Sequence, residues 1–149
     1  MNLAANLVRS ADVHACRVAV RLGESELTYG DLDESSARVA AMLLERGLRP
    51  GDRVGILLPN VVQFPVVYYG VLRAGCVVVP MNPLLRAREV AYYLRDSGAR
   101  LVFAWHVVAD EAQVGAREAD ADCVLVEPAT AAVAPGHVAR GRGGRPGRQ

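Results

Sequence analysis

Two rhythms of hydrophobic and polar positions run along this chain. The points where one gives way to the other mark its elements. Residues 3–11 carry a short helical pattern. Val18 to Leu22 alternates with β-branched residues, Gly23-Glu24-Ser25 turns, and residues 26–28 return, which predicts a small hairpin. Thr28 and Asp31 then stand at capping-box spacing, so a helix is expected to start there. Leu32, Val39, Ala40, Leu43 and Leu44 form its apolar stripe, Gly47 suits the residue after its end, and Pro50-Gly51 turns the chain.

Residues 54–58 are uninterruptedly apolar, as in a strand buried on both faces. Asn60 is placed to cap a helix over 61–74, with Gln63 three residues on and Pro65 deep enough to kink it. That helix is apolar nearly all round and should be buried; Gly75 ends it. Residues 76–79 read as a second inner strand, and 101–103 as the centre of a third. A rigid Pro80-Met81-Asn82-Pro83 turn and an amphipathic helix over 87–97 lie between those two. A helix over 109–118 and a strand over 123–126 complete the series. Strands separated by crossovers of about a dozen residues must run parallel, so the fold class is α/β: a layered, largely parallel sheet flanked by helices. From 128 onward the periodicity stops. The remaining residues are small and rich in Gly, Pro and Arg, which predicts a disordered tail.

Composition narrows the chemistry. At 149 residues the chain has the length of about one domain. All 17 basic residues are Arg, which excludes any step that needs a Lys of this chain. The net charge of +1 divides unevenly: the last ten residues hold four Arg and no acid, leaving a mildly acidic body. An Arg/Gly segment without aromatic residues is a weak RNA signal, and no nucleic-acid partner is expected. Cys16, Cys76 and Cys123 are odd in number and widely spaced, so neither a disulfide framework nor a zinc site is expected. The 3 His form no i, i+4 pair. Residues 54–72 carry no charge and are long enough to cross a bilayer, but Pro59-Asn60 and Pro65 interrupt them, so no transmembrane segment is expected. Residues 1–11 contain no uninterrupted apolar core, so no signal peptide is expected and the compartment reads as cytoplasm.

Several stretches, in order and at matching spacings, resemble one family. They are Leu27-Thr28-Tyr29-Gly30-Asp31-Leu32, Gly47-Leu48-Arg49-Pro50-Gly51-Asp52-Arg53-Val54, and Leu58-Pro59-Asn60. The run from Gly70 through Ala74-Gly75-Cys76 to Pro80-Met81-Asn82-Pro83 follows, then Glu89 to Arg100. Together they resemble the opening of adenylate-forming enzymes, specifically acyl-CoA synthetases of the fatty-acid–CoA ligase type. The resemblance covers about residues 1–127, as an incomplete N-terminal AMP-binding-type domain, with 128–149 as the Arg/Gly-rich tail.

The resemblance implies ATP-dependent activation of a fatty or other carboxylic acid to an acyl-adenylate, then transfer to coenzyme A. Full-length relatives use ATP, Mg²⁺ and coenzyme A. None of their catalytic, cofactor-binding or metal-binding residues falls on a position of this chain. The Gly/Ser/Thr-rich phosphate loop, the Mg-binding Glu and the catalytic Lys lie beyond the matched region, so the chain is expected to be inactive alone. A truncated or frame-shifted product accounts best for this, and a module associating with a complementary chain, or with itself, is the alternative. Local physics accounts for the matched residues. Gly51 and Gly75 serve turns, Asp52 caps a turn, and Tyr68, Tyr69, Tyr92 and Tyr93 pack on helices. Arg73 sits near a helix C-terminus. Pro80 and Pro83 shape a loop at the carboxyl end of a strand, the edge where α/β sheets bind ligands. Arg86 departs from the family, which places Ser or Thr there as a helix N-cap; that cap should be weaker by about 1 kcal/mol.

Overall fold

The computed structural model of the chain describes residues 2–128. The tail expected from 128 onward therefore lies outside the described residues, apart from Pro128. The elements run α1 (Ala4–His14), β1 (Val18–Leu22), β2 (Ser25–Thr28), α2 (Tyr29–Glu45), β3 (Arg53–Leu57), α3 (Gln63–Arg73), β4 (Val77–Pro80), α4 (Ala87–Ser97), β5 (Leu101–Trp105), α5 (Ala109–Glu118) and β6 (Asp122–Val126). A 3-10 turn, His106–Val108, links β5 to α5.

β1 and β2 form the antiparallel hairpin. The other four strands form one parallel sheet in the order β4-β3-β5-β6. The pleat sends alternate residues to opposite faces, and each face has its own core. Val54, Ile56, Leu101, Phe103 and Val124 point to the side of α2 and α3, where Leu43, Val66 and Val71 meet them. Leu57, Val102 and Ala104 point to the side of α4 and α5, against Val90, Leu94, Ala112 and Ala116. Residues 54–72, long enough to span a bilayer, are thus divided between β3 and α3. Among the described residues no helix is long and apolar enough to cross a membrane.

Helix starts follow local chemistry. Thr28 Oγ1 accepts the Asp31 N–H at 3.1 Å, and the Asp31 carboxylate accepts the Thr28 N–H at 3.0 Å, the expected capping box. That backbone donor, helped by the Thr28 hydroxyl, holds the Asp31 carboxyl below its usual range. Asp52 caps its turn as expected: it accepts the Arg49 N–H at 2.8 Å and pairs with Arg100 at 3.0 Å. The Arg49 N–H is the main cause holding its carboxyl down. Gly47 and Gly51 take positive φ of 82° and 91°, as their turns require.

Four expectations are corrected. The run 76–79 does not form an inner strand: β4 is an edge of the sheet, and Val77 is 47% exposed. Its apolar run reflects cover from α3 on one face and α4 on the other, not a strand on each side. Asn60 does not cap α3. The helix begins at Gln63 with no side-chain cap, which places Pro65 in the first turn, where a missing N–H costs no intrahelical hydrogen bond. Leu44 is exposed, because it lies about 100° round α2 from the fully buried Leu43 and falls off the core-facing side. Tyr92 and Tyr93 are exposed rather than packed inward, lying edge-on to each other at 5.7 Å.

The unpaired edge of β4 is poor in donors. Val77 donates to Asp52 O and Met81 to Ile56 O, so alternate residues face β3 and Val78 and Pro80 face outward. Pro80 has no N–H to offer, an arrangement that blunts an edge.

Cys76 ends the tight turn after α3 and is buried, with burial and then nearby Asp52 pushing its thiol pKa up. Burial alone takes Cys123 up to about 11. Thiol reagents attack the thiolate. Exposed Cys16 is therefore expected to label fast in the folded chain, while Cys76 labels only after denaturation. Cys76 labelling at the same rate with and without denaturant would disprove its placement.

Candidate functional site

The sheet order locates the part of the fold suited to ligands. From β3 the chain goes to α3 and back to the neighbouring β4; from β5 it goes to α5 and on to β6 in the opposite direction. The connections leaving β3 and β5 therefore part to opposite faces. Between them, at the carboxyl ends of the strands, lies the switch point where open α/β sheets take ligands. The sequence pointed to the neighbouring β4 end, because strand order is not a local property.

Leu58, Pro59 and Asn60 follow β3 at this edge. Gln63, only 5% exposed, opens α3 beside them, and its Nε2 donates to Glu127 O at 3.5 Å, joining α3 to the chain leaving β6. Trp105 closes β5 and meets the His106 ring at 4.8 Å between centroids, inclined at 64°. Met81, buried, follows β4, and the Asn82 side chain accepts the Leu84 N–H at 2.9 Å, which shapes the loop before α4.

Arg86 supplies no side-chain acceptor to the start of α4, as its sequence implies. Two carboxylates act there instead: Glu89 accepts the Arg86 N–H at 2.8 Å, and Glu111 of α5 accepts the Ala87 N–H at 2.6 Å. The Arg86 guanidinium donates to the other oxygen of Glu111 at 3.1 Å. The Ala87 N–H, then Arg86, hold the Glu111 carboxyl below its usual range. Sequence reasoning missed Gln63 and Glu111 as members of this edge. The only signal for Glu111 was indirect: an uncapped helix start needs an acceptor from elsewhere.

Arg73 is committed to structure. Its guanidinium pairs with the Asp33 carboxylate, and it also donates to Asp33 O at 3.3 Å and to Ser36 Oγ at 3.5 Å, fastening α3 to α2. Open hollows lie away from the switch point. One of about 620 Å³ is on the outer face of α4, lined by Arg86, Arg88, Glu89, Tyr92 and Tyr93. Another, about 450 Å³, is at the amino edge, with Arg95, Arg100, Asp120 and Asp122 among its walls. A third, about 340 Å³, lies along α1 between Asn6 and His14. Among the described residues no three His, Cys, Asp or Glu side chains converge as a metal requires. Among the described residues the carboxyl edge thus presents a shaped, mostly uncharged rim that can border a substrate.

Residues 7–140 match the family described as AMP-binding enzyme. Over 84 residues the chain is 45% identical to the long-chain-fatty-acid–CoA ligase of Salmonella typhimurium, covering 56% of this chain and 15% of that one. It is 40% identical over 81 residues to the 4-hydroxybenzoate–CoA/benzoate–CoA ligase of Rhodopseudomonas palustris, again 15% of that chain's length. The crystal structure of a benzoate CoA ligase from Burkholderia xenovorans superposes with a TM-score of 0.78 at 30% identity, over 96% of this chain and 31% of that one. The chain therefore spans well under half the length of these relatives.

Proposed function

Because the chain belongs to the AMP-binding enzyme family, we propose that it forms the opening part of an acid–CoA ligase acting on long-chain fatty acids. The observation that carries this is the 45% identity over 84 residues to a long-chain-fatty-acid–CoA ligase. In such an enzyme the acid is activated with ATP to an acyl-adenylate and then passed to coenzyme A. Residues 1–127 supply the platform: two cores hold the sheet rigid, and its carboxyl edge borders the space where substrate lies. With no Lys and no phosphate-gripping loop of its own, the chain alone does not adenylate. The reaction belongs to a longer assembly acting in the cytoplasm.

A second reading, in which the chain associates with a complementary polypeptide, is favoured by one observation, the exposed apolar side chain of Val77 on the outermost strand of the sheet. Both readings are tested by exchange of segments. Residues 7–128, placed in the Salmonella ligase instead of the matching stretch, are expected to support acyl-CoA formation from a long-chain acid. A folded chimera without acid-dependent ATP consumption would overturn the ligase reading. If activity returns only when the chain is added as a separate polypeptide to a ligase lacking that stretch, the two-chain reading stands.

A further inference from the structure

We propose that Glu111 is a positioning residue: from α5 it supplies the N-cap acceptor that α4 lacks, and so joins the β4–α4 and β5–α5 connections into one unit at the carboxyl edge. This goes beyond the ligase reading and does not depend on it. A helix start leaves several backbone N–H groups without intrahelical partners, and a short polar N-cap side chain ordinarily takes one of them. At α4 the N-cap residue is Arg86, in extended conformation with φ −83° and ψ 163°, and its guanidinium can only donate. The Ala87 N–H goes to Glu111 at 2.6 Å, a carboxylate lying 24 residues further along the chain. The same carboxylate holds the Arg86 guanidinium, so the residue that cannot cap helps to aim the one that does.

The packing behind this contact explains how Glu111 reaches. Glu111 and Gly115 stand four residues apart on one face of α5. A Cβ at Gly115 would fall 2.7 Å from Ala87 O and 2.7 Å from Val90 Cβ. At Gly115, one turn beyond Glu111, α5 therefore contributes no side chain, and its backbone packs directly on Val90 and the Ala87 carbonyl of α4. That closeness brings the Glu111 carboxylate to the first turn of α4. The loop before α4, fixed by Asn82, hangs from this junction on one side, and the His106–Val108 turn on the other.

Amide exchange on the intact chain tests the assignment. Glu111→Ala is expected to speed exchange of Leu84, Leu85 and the amides of residues 87–90 by about five- to tenfold, the loss ordinarily seen with an N-cap, and to leave β5 unchanged. Arg86→Ser restores a local acceptor, and in that background Glu111→Ala should change the same amides by less than about twofold. Glu111→Gln keeps an oxygen for Ala87 and should fall between wild type and Glu111→Ala; if the alanine variant fails to fold, acceleration confined to residues 84–90 in the glutamine variant supports the proposal in its place. Equal acceleration in β5, the same effect in both Arg86 backgrounds, or no acceleration would each overturn the proposal.

Discussion

Purified chain supplied with Mg-ATP, a long-chain fatty acid and labelled pyrophosphate is expected to exchange no label into ATP above an acid-free blank. Adenylation develops charge on the α-phosphate as pyrophosphate departs. Catalysis comes from donors and cations already aimed at that charge, and losing one such group costs about 10²–10³ in rate. This chain has no Lys among its 149 residues, and the carboxyl edge carries the hydrogen bonds of helix starts and loops, not a cluster of free donors. Several contributions are therefore missing together, and their combined loss takes the rate below detection. Acid-dependent exchange that follows the chain through purification would show a phosphate site within it and overturn the reading of an incomplete domain.

Gly70→Ala is expected to destabilise the fold by about 2 kcal/mol, although alanine is the better helix former by about 1 kcal/mol. Gly70 lies in the middle of α3 where it crosses α2. A methyl there would fall 2.5 Å from Val39 Cβ and 3.1 Å from Ser36 O. The first obstacle is the branched stem of a buried valine, which cannot swing aside as a flexible tip could. Overpacking of this kind costs about 1–3 kcal/mol, and a clash this close belongs at or beyond the upper end of that range. The helices must then part, and the Arg73 fastening to Asp33 and Ser36 loosens with them. Urea unfolding of the two proteins measures the difference. Val39→Ala makes room for the new methyl, so the double variant should lose less than the two single losses added together. Gly70→Ala with unchanged stability would mean that α2 and α3 do not cross as described.

The elements whose signals are local were legible in the sequence. The Thr28–Asp31 capping box, the hairpin and the whole span of α4 follow from side chains within a few residues of one another. The errors share a physical cause. Residues 76–79 look the same whether a third strand or only two helices cover them, because cover on the two faces and pairing at the edge both favour Val. Leu44 belongs to the apolar stripe by spacing, but whether anything lies opposite depends on distant chain. The switch point could not be read at all, since it exists only once β5 is known to lie beside β3 and not beside β4. Glu111 was hidden for the same reason: its partner is a helix start in another part of the chain.

The placement of β5 also bears on the order in which a growing chain can fold. β3, α3 and β4 are contiguous in sequence, so this part of the sheet can form as soon as it leaves the ribosome. The other edge of β3 must wait for Leu101–Trp105 and, until then, displays the unpaired backbone of an apolar strand. During synthesis this interval is the period of greatest exposure to wrong partners. Its length is set by residues 81–100, the loops and α4 that separate β4 from β5, so an insertion there would prolong it and one after β5 would not.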